Sequence, residues 1–92
     1  MKTIDLPVPE LLAGLAEECS ELAQAALKLR RVHTQINPTP ARLDDAYDDL
    51  CEEIADVLLY LDQISYPVSY VFKIKEQKLE RWKKRMEGRK DA

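Results

Sequence analysis

Three clusters of proline constrain this chain more than any other feature. Pro7 and Pro9 lie near the start, Pro38 and Pro40 near the middle, and Pro67 stands alone further on. Proline fixes φ and lacks a backbone N–H, so it opens helices and breaks their interiors. Between the clusters, apolar residues recur at three- and four-residue steps, the period of a helix face. In the first block these are Leu11, Leu15, Leu22, Ala26 and Leu29; in the second, Leu50, Ile54, Val57, Leu58, Leu61 and Ile64. A third block opens near Val68 and carries Val71, Phe72, Leu79, Trp82 and Met86, with Gly88 placed to cap its end. With only 2 glycines in 92 residues, little turn chemistry is left for a sheet.

Helix-end chemistry sharpens the boundaries. Pro9 suits a first helical position, and Arg30, Arg31 and His33 suit the negative end of the first helix dipole. In "TQINPTPAR", Thr39 and Pro40 read as the N-cap and first residue of the second helix, with Asp44 and Asp45 in its opening turn. The chain reads as a single domain over 1–92, with an N-terminal extension at 1–7, a connecting loop at 34–40 and a tail at 87–92. Two long antiparallel helices cannot enclose a core alone. The expected fold is therefore all-α: a long-helix hairpin plus a third helix, forming a four-helix-bundle-type core by oligomerisation into a homodimer or homotetramer.

Hydrophobic residues make up 46% of the chain and charged residues 34%, too apolar a balance for disorder. Cys19 and Cys51 show no CxxC spacing, which predicts buried free thiols in a reducing compartment. No apolar run approaches the roughly 18 residues of a membrane span. The N-terminal "MKTIDLPVPE" has no apolar leader core, so the reading is cytoplasmic, with no membrane partner. The net charge of −3 conceals an asymmetry: residues 73–90 hold nine Lys/Arg against three Glu, while the rest is strongly acidic.

That acidity is concentrated where apolar residues should dominate. "AEECSELAQAALKLRR", residues 16–31, sets Glu17, Glu18 and Glu21 within one turn, and "CEEIAD" sets Glu52, Glu53 and Asp56 likewise. Glu18 with Glu21 and Glu53 with Asp56 are each three residues apart, so each pair shares a helical face. Flanking leucines, isoleucine and valine place at least one carboxylate per helix toward the seam between helices. Carboxylates there are costly unless neutralised. A cluster made only of oxygens suits magnesium, which prefers carboxylate and water ligands and keeps waters for a phosphate substrate. A solvated acidic face is the simpler alternative for either motif alone; the ordered pair favours a metal.

The pairing "EECSE" then "EEIAD", with "ELAQAALKLRR" and "ADVLLYLDQI" after them, resembles the MazG-like all-α NTP pyrophosphohydrolases over roughly residues 8–86. The resemblance implies Mg²⁺ held by Glu18, Glu21, Glu53 and Asp56, with Mn²⁺ as a substitute, and Glu17 and Glu52 as accompanying acids. It implies hydrolysis of a (d)NTP between the α- and β-phosphates to (d)NMP and pyrophosphate, as in nucleotide-pool housekeeping. Glu17 or Glu21 is then the candidate catalytic proton acceptor. Two departures stand out: 31 residues separate Glu21 from Glu53, a long interval for the family, and "YVFKIKEQK" lacks an asparagine common upstream of the lysine.

A triphosphate also needs cations, and "KIKEQKLERWKKR" supplies Lys75, Lys78, Arg81 and Arg85 along one stripe. Lys78 and Arg81, followed by Lys75, are the candidate phosphate-binding residues; a solvated basic helix is the competing account. Sparse aromatics in this segment argue against nucleic acid, and the phase of Trp82 points to a core position. His33 is the one histidine, which excludes the Glu-x-x-His pairs of carboxylate-bridged di-iron bundles. The alternative to an enzyme is a non-catalytic helical oligomerisation or interaction domain. Such a domain has no need for carboxylates in its seam.

Overall fold

The computed structural model describes residues 4–35 and 41–91, and among these every regular element is a helix. Helix α1 spans Val8–Thr34, α2 spans Leu43–Gln63 and α3 spans Val68–Asp91. Pro7 is the N-cap of α1, its carbonyl accepting from the N–H groups of Glu10 and Leu11 at 3.0 and 3.1 Å, so Pro9 is the second helical residue rather than the first. Thr39 and Pro40 lie outside the described residues. The first residue of α2 is Leu43, behind an Arg42 N-cap, with Asp44 and Asp45 in its first turn as the dipole argument requires. Helix α3 begins at Val68 as the spacing predicts but continues through Gly88. The α-helical neighbours of Gly88 tolerate it, because glycine weakens a helix interior by only about 1 kcal/mol.

Helix α1 ends at Gln35, which adopts φ 56°, a left-handed conformation glycine usually fills. Its backbone N–H donates to the Arg31 carbonyl at 2.9 Å, and its side-chain amide donates to the Val32 carbonyl at 2.6 Å. These bonds satisfy two otherwise orphaned carbonyls and hold the strained residue.

α1 and α2 are antiparallel. Ile4 N–H donates to Gln63 Oε1 at 2.8 Å, Tyr60 packs on Gly14, and Lys28 Nζ meets Asp49 Oδ2 at 3.3 Å. Partner numbers therefore fall along α2 as they rise along α1. The seam between them is thin: Leu11, at 1% exposure, is its one fully buried large side chain, joined by Gly14, Ala25, Val32 and Ala46. Small residues let the backbones approach closely, and Gly14 is the clearest instance. A Cβ there would overlap the Tyr60 ring. Gly14→Ala is accordingly expected to lower stability by about 1–3 kcal/mol through overpacking, although alanine is the better helix former. Urea unfolding followed by circular dichroism measures this, and an unchanged or raised midpoint would show that Tyr60 moves aside freely.

Helical geometry sorts the remaining surface of the hairpin into two opposite faces. One is apolar: Leu12, Ala16, Cys19 and Ala23 on α1 lie beside Tyr47, Cys51, Ile54 and Leu58 on α2, all exposed. The other carries Glu17 and Glu21 beside Glu52 and Asp56, together with the Lys28–Asp49 ion pair. Cys19 and Cys51 are thus exposed thiols in this chain, and Ile54 and Leu58 are uncovered rather than buried. The periodicity that marks them as core is real, but a second helical layer is needed to cover it.

Among the described residues, α1 and α2 are the helices that pack on one another, and α3 touches neither. Molecular extents of 44 × 38 × 19 Å fit a 27-residue helix and a 24-residue helix set at a wide angle. The radius of gyration is 17.1 Å, against about 12 Å for a compact chain of this length. Trp82, placed in the core by its spacing, is 59% exposed.

Candidate metal centre

The carboxylates enter the seam midway along the hairpin. One turn beyond Gly14, Glu18 occupies the same seam line as Leu11, Leu22 and Ala25. Glu53 occupies the equivalent line on α2, between Ala46, Leu50 and Val57, and Asp56 follows one turn later at its edge. All three are half-buried, and one oxygen from each lies within 4.8 Å of the others. Oε2 of Glu18 and Oε2 of Glu53 are fully buried and have no hydrogen-bond partner.

Glu21 stands next to this trio on the acidic face. It is a charged neighbour of both Glu18 and Glu53. Ionised carboxylates gathered this closely repel one another, so the cluster calls for protons or a cation. Burial raises the pKa of Glu18, followed by the charges of Glu21 and Asp56, the Glu21 hydrogen bond and the charge of Glu53. Burial likewise raises that of Glu53, followed by Glu21, Asp56, the Glu21 hydrogen bond and Glu52. Glu17 is exposed, one residue before Glu18 and outside the trio.

The structure therefore brings together Glu18, Glu53 and Asp56 with Glu21 alongside. Among the described residues, it does not bring Lys75, Lys78 or Arg81 to them, because α3 packs on neither helix of its own hairpin. Residues 36–40, within the long interval between the motifs, lie outside the described set. Sequence reasoning missed Tyr60. It stands one turn beyond Asp56 on the seam and fixes the helix crossing against Gly14. A lone glycine inside a strong helical pattern was the available signal.

The donor set tests well against a hard divalent cation. Every ligand atom is a carboxylate oxygen, and two buried oxygens lack any other partner, which a bound ion would supply. Soft or imidazole-preferring metals have no reason to choose it, since neither His33 nor a cysteine belongs to the cluster.

An all-helical chain whose hairpin gathers carboxylates from two successive helices is the class the fold and site define. The chain matches the MazG nucleotide pyrophosphohydrolase domain over residues 8–91 and belongs to that family. No curated protein and no solved structure matches it. Among the described residues, no helix is long and apolar enough to cross a membrane.

Proposed function

We propose that the protein is a Mg²⁺-dependent nucleoside triphosphate pyrophosphohydrolase, cleaving (d)NTP between the α- and β-phosphates to (d)NMP and pyrophosphate. The observation that carries this reading is the pair of buried, unpartnered oxygens on Glu18 and Glu53, in a seam whose buried side chains include Leu11, Ala25, Val32 and Ala46. A chain that only needed to pair helices would fill those positions with leucine. Family membership supplies the substrate class.

Glu18, Glu21, Glu53 and Asp56 hold the cation, for which Mn²⁺ is a substitute. When bound, it supplies charge neutralisation at the phosphate oxygens and lowers the pKa of a water. The protein's own part is positional and acid–base. Water attacks phosphorus at the α–β linkage, the bridging P–O bond breaks, and pyrophosphate leaves with the bond's electrons. Glu21 or Glu17, on the open acidic face, accepts the water's proton. Lys78, Arg81 and Lys75 bind the phosphates, Arg81 through its planar fork and the lysines as point charges.

The assembly belongs to the same reading. The accessible surface is 7710 Å², against about 5,500 Å² for a folded monomer of this size. That excess is on the scale an obligate interface covers. The apolar face of the hairpin suits the same face of a second copy, giving four helices around one core in a cytoplasmic homodimer or homotetramer.

Incubating the purified protein with a panel of ribo- and deoxynucleoside triphosphates and Mg²⁺, and assaying pyrophosphate, tests the activity. At least one nucleotide should be converted to its monophosphate, with EDTA stopping the reaction. No turnover on any of them would leave a helical interaction domain as the better description.

A further inference from the structure

We infer that α3 works in trans, its cationic face lying on the acidic face of another copy's hairpin and carrying Lys75, Lys78 and Arg81 to that copy's carboxylates. The inference rests on the proposed function for the identity of the site, and it adds which chain completes it. Three observations on the molecule lead there.

First, α3 is a 24-residue helix that, among the described residues, packs on neither α1 nor α2. Isolated helices are marginal in water, so a helix this exposed takes its stability from a surface outside the chain. Second, cations and apolar groups share one groove on α3: Lys75, Lys78, Arg81 and Arg85 line it together with Val71 and Trp82. A helix made only for solvation separates those groups onto opposite sides. Third, the charges are complementary. Residues 73–90 carry nine Lys/Arg against three Glu, whereas the acidic face of the hairpin gathers Glu17, Glu21, Glu52 and Asp56 against Lys28. With the apolar face given to the hairpin–hairpin core, the acidic face is the surface left for a basic helix. A second copy provides it with the right sign and, by symmetry, twice per dimer.

Two inactive variants test this by mixing. Glu53→Gln damages the carboxylate centre, and the Lys78→Ala/Arg81→Ala pair damages the cationic helix; each alone should be inactive yet helical by circular dichroism. After the two are refolded together, random pairing puts one undamaged site in half of the dimers, so activity should return to about a quarter of wild type. Absence of recovery means that each α3 serves its own hairpin, and overturns the inference.

A readout independent of catalysis uses Trp82, the single tryptophan. A chain with Cys19→Ser and Cys51→Ser keeps Trp82. A second chain carries Trp82→Phe and the same serines, with a nitroxide on a cysteine introduced by Gln24→Cys, an exposed position one turn past Glu21. Mixing them should quench Trp82 emission; unquenched emission in a sample sedimenting as mixed oligomers, or a sample that is monomeric, overturns the inference. If the wild type hydrolyses no nucleotide, the functional reading fails while the quenching still decides where α3 lies.

Discussion

Glu53→Gln should reduce pyrophosphate release at least about 10²-fold while leaving helicity intact. Even partners that merely orient a metal ligand are typically worth 10–100-fold, and Glu53 is proposed as a ligand itself. The substitution is nearly isosteric, so it tests charge rather than packing. Glutamine retains one carbonyl oxygen but loses the negative charge that a hard cation requires. It also removes the repulsion that Glu53 experiences from Glu21, Asp56 and Glu52. The metal-free variant should therefore melt no lower than metal-free wild type, a result that separates lost chemistry from lost folding. Unchanged turnover with unchanged helicity would remove Glu53 from the site.

Magnesium should stabilise the protein strongly, and increasingly so as pH rises. Glu18 and Glu53 have pKa values raised in the folded state by burial and by neighbouring carboxylates. Between the ordinary glutamate range and those raised values, the folded chain binds more protons than the unfolded chain. The stability they contribute is present in acid and is lost as pH climbs through the folded values. Metal-free protein should accordingly lose melting temperature as pH rises above the ordinary glutamate range, from these two groups. A cation needs the deprotonated ligands, so its effect runs the other way. At about a hundredfold excess over its dissociation constant, Mg²⁺ should raise the melting temperature by roughly 10 °C or more near neutral pH. Differential scanning fluorimetry with Mg²⁺ and with EDTA across pH measures both trends. A shift equal at all pH values, or present undiminished in Glu53→Gln, would argue for cation binding elsewhere.

Much of the candidate site was legible because helices turn local spacing into geometry. Glu18 and Glu53, each flanked by apolar residues at helical steps, had to approach the seam. The structure places both there, with Asp56 beside them. Glu21 was harder to place, because a position three residues from Glu18 is displaced around the helix toward the open side. It touches the trio from the acidic face instead of joining it. Ile54 and Leu58 read as core from their period, and Cys19 and Cys51 read as buried thiols, yet all four are exposed. Period alone does not say whether the covering layer comes from the same chain. Cys19 and Cys51 were misplaced for that reason, since they belong to an apolar face left exposed among the described residues, whereas Trp82 shares its exposed face of α3 with Lys75, Lys78 and Arg81.

The sequence by itself determined the three helices, their approximate limits and the two acidic pairs. Each of these depends on interactions within a few residues: proline's missing donor, dipole complementarity at helix ends and side chains three or four positions apart. Tertiary structure decided everything that depends on how helices meet. The close approach of Gly14 and Tyr60 sets the crossing, and the crossing sets which flank of the hairpin is apolar and which acidic. Among the described residues, the absence of packing between α3 and its own hairpin separates the phosphate-binding candidates from the carboxylates. Neither follows from periodicity, because a helix face specifies that it must be covered and leaves the choice of covering surface to the packing.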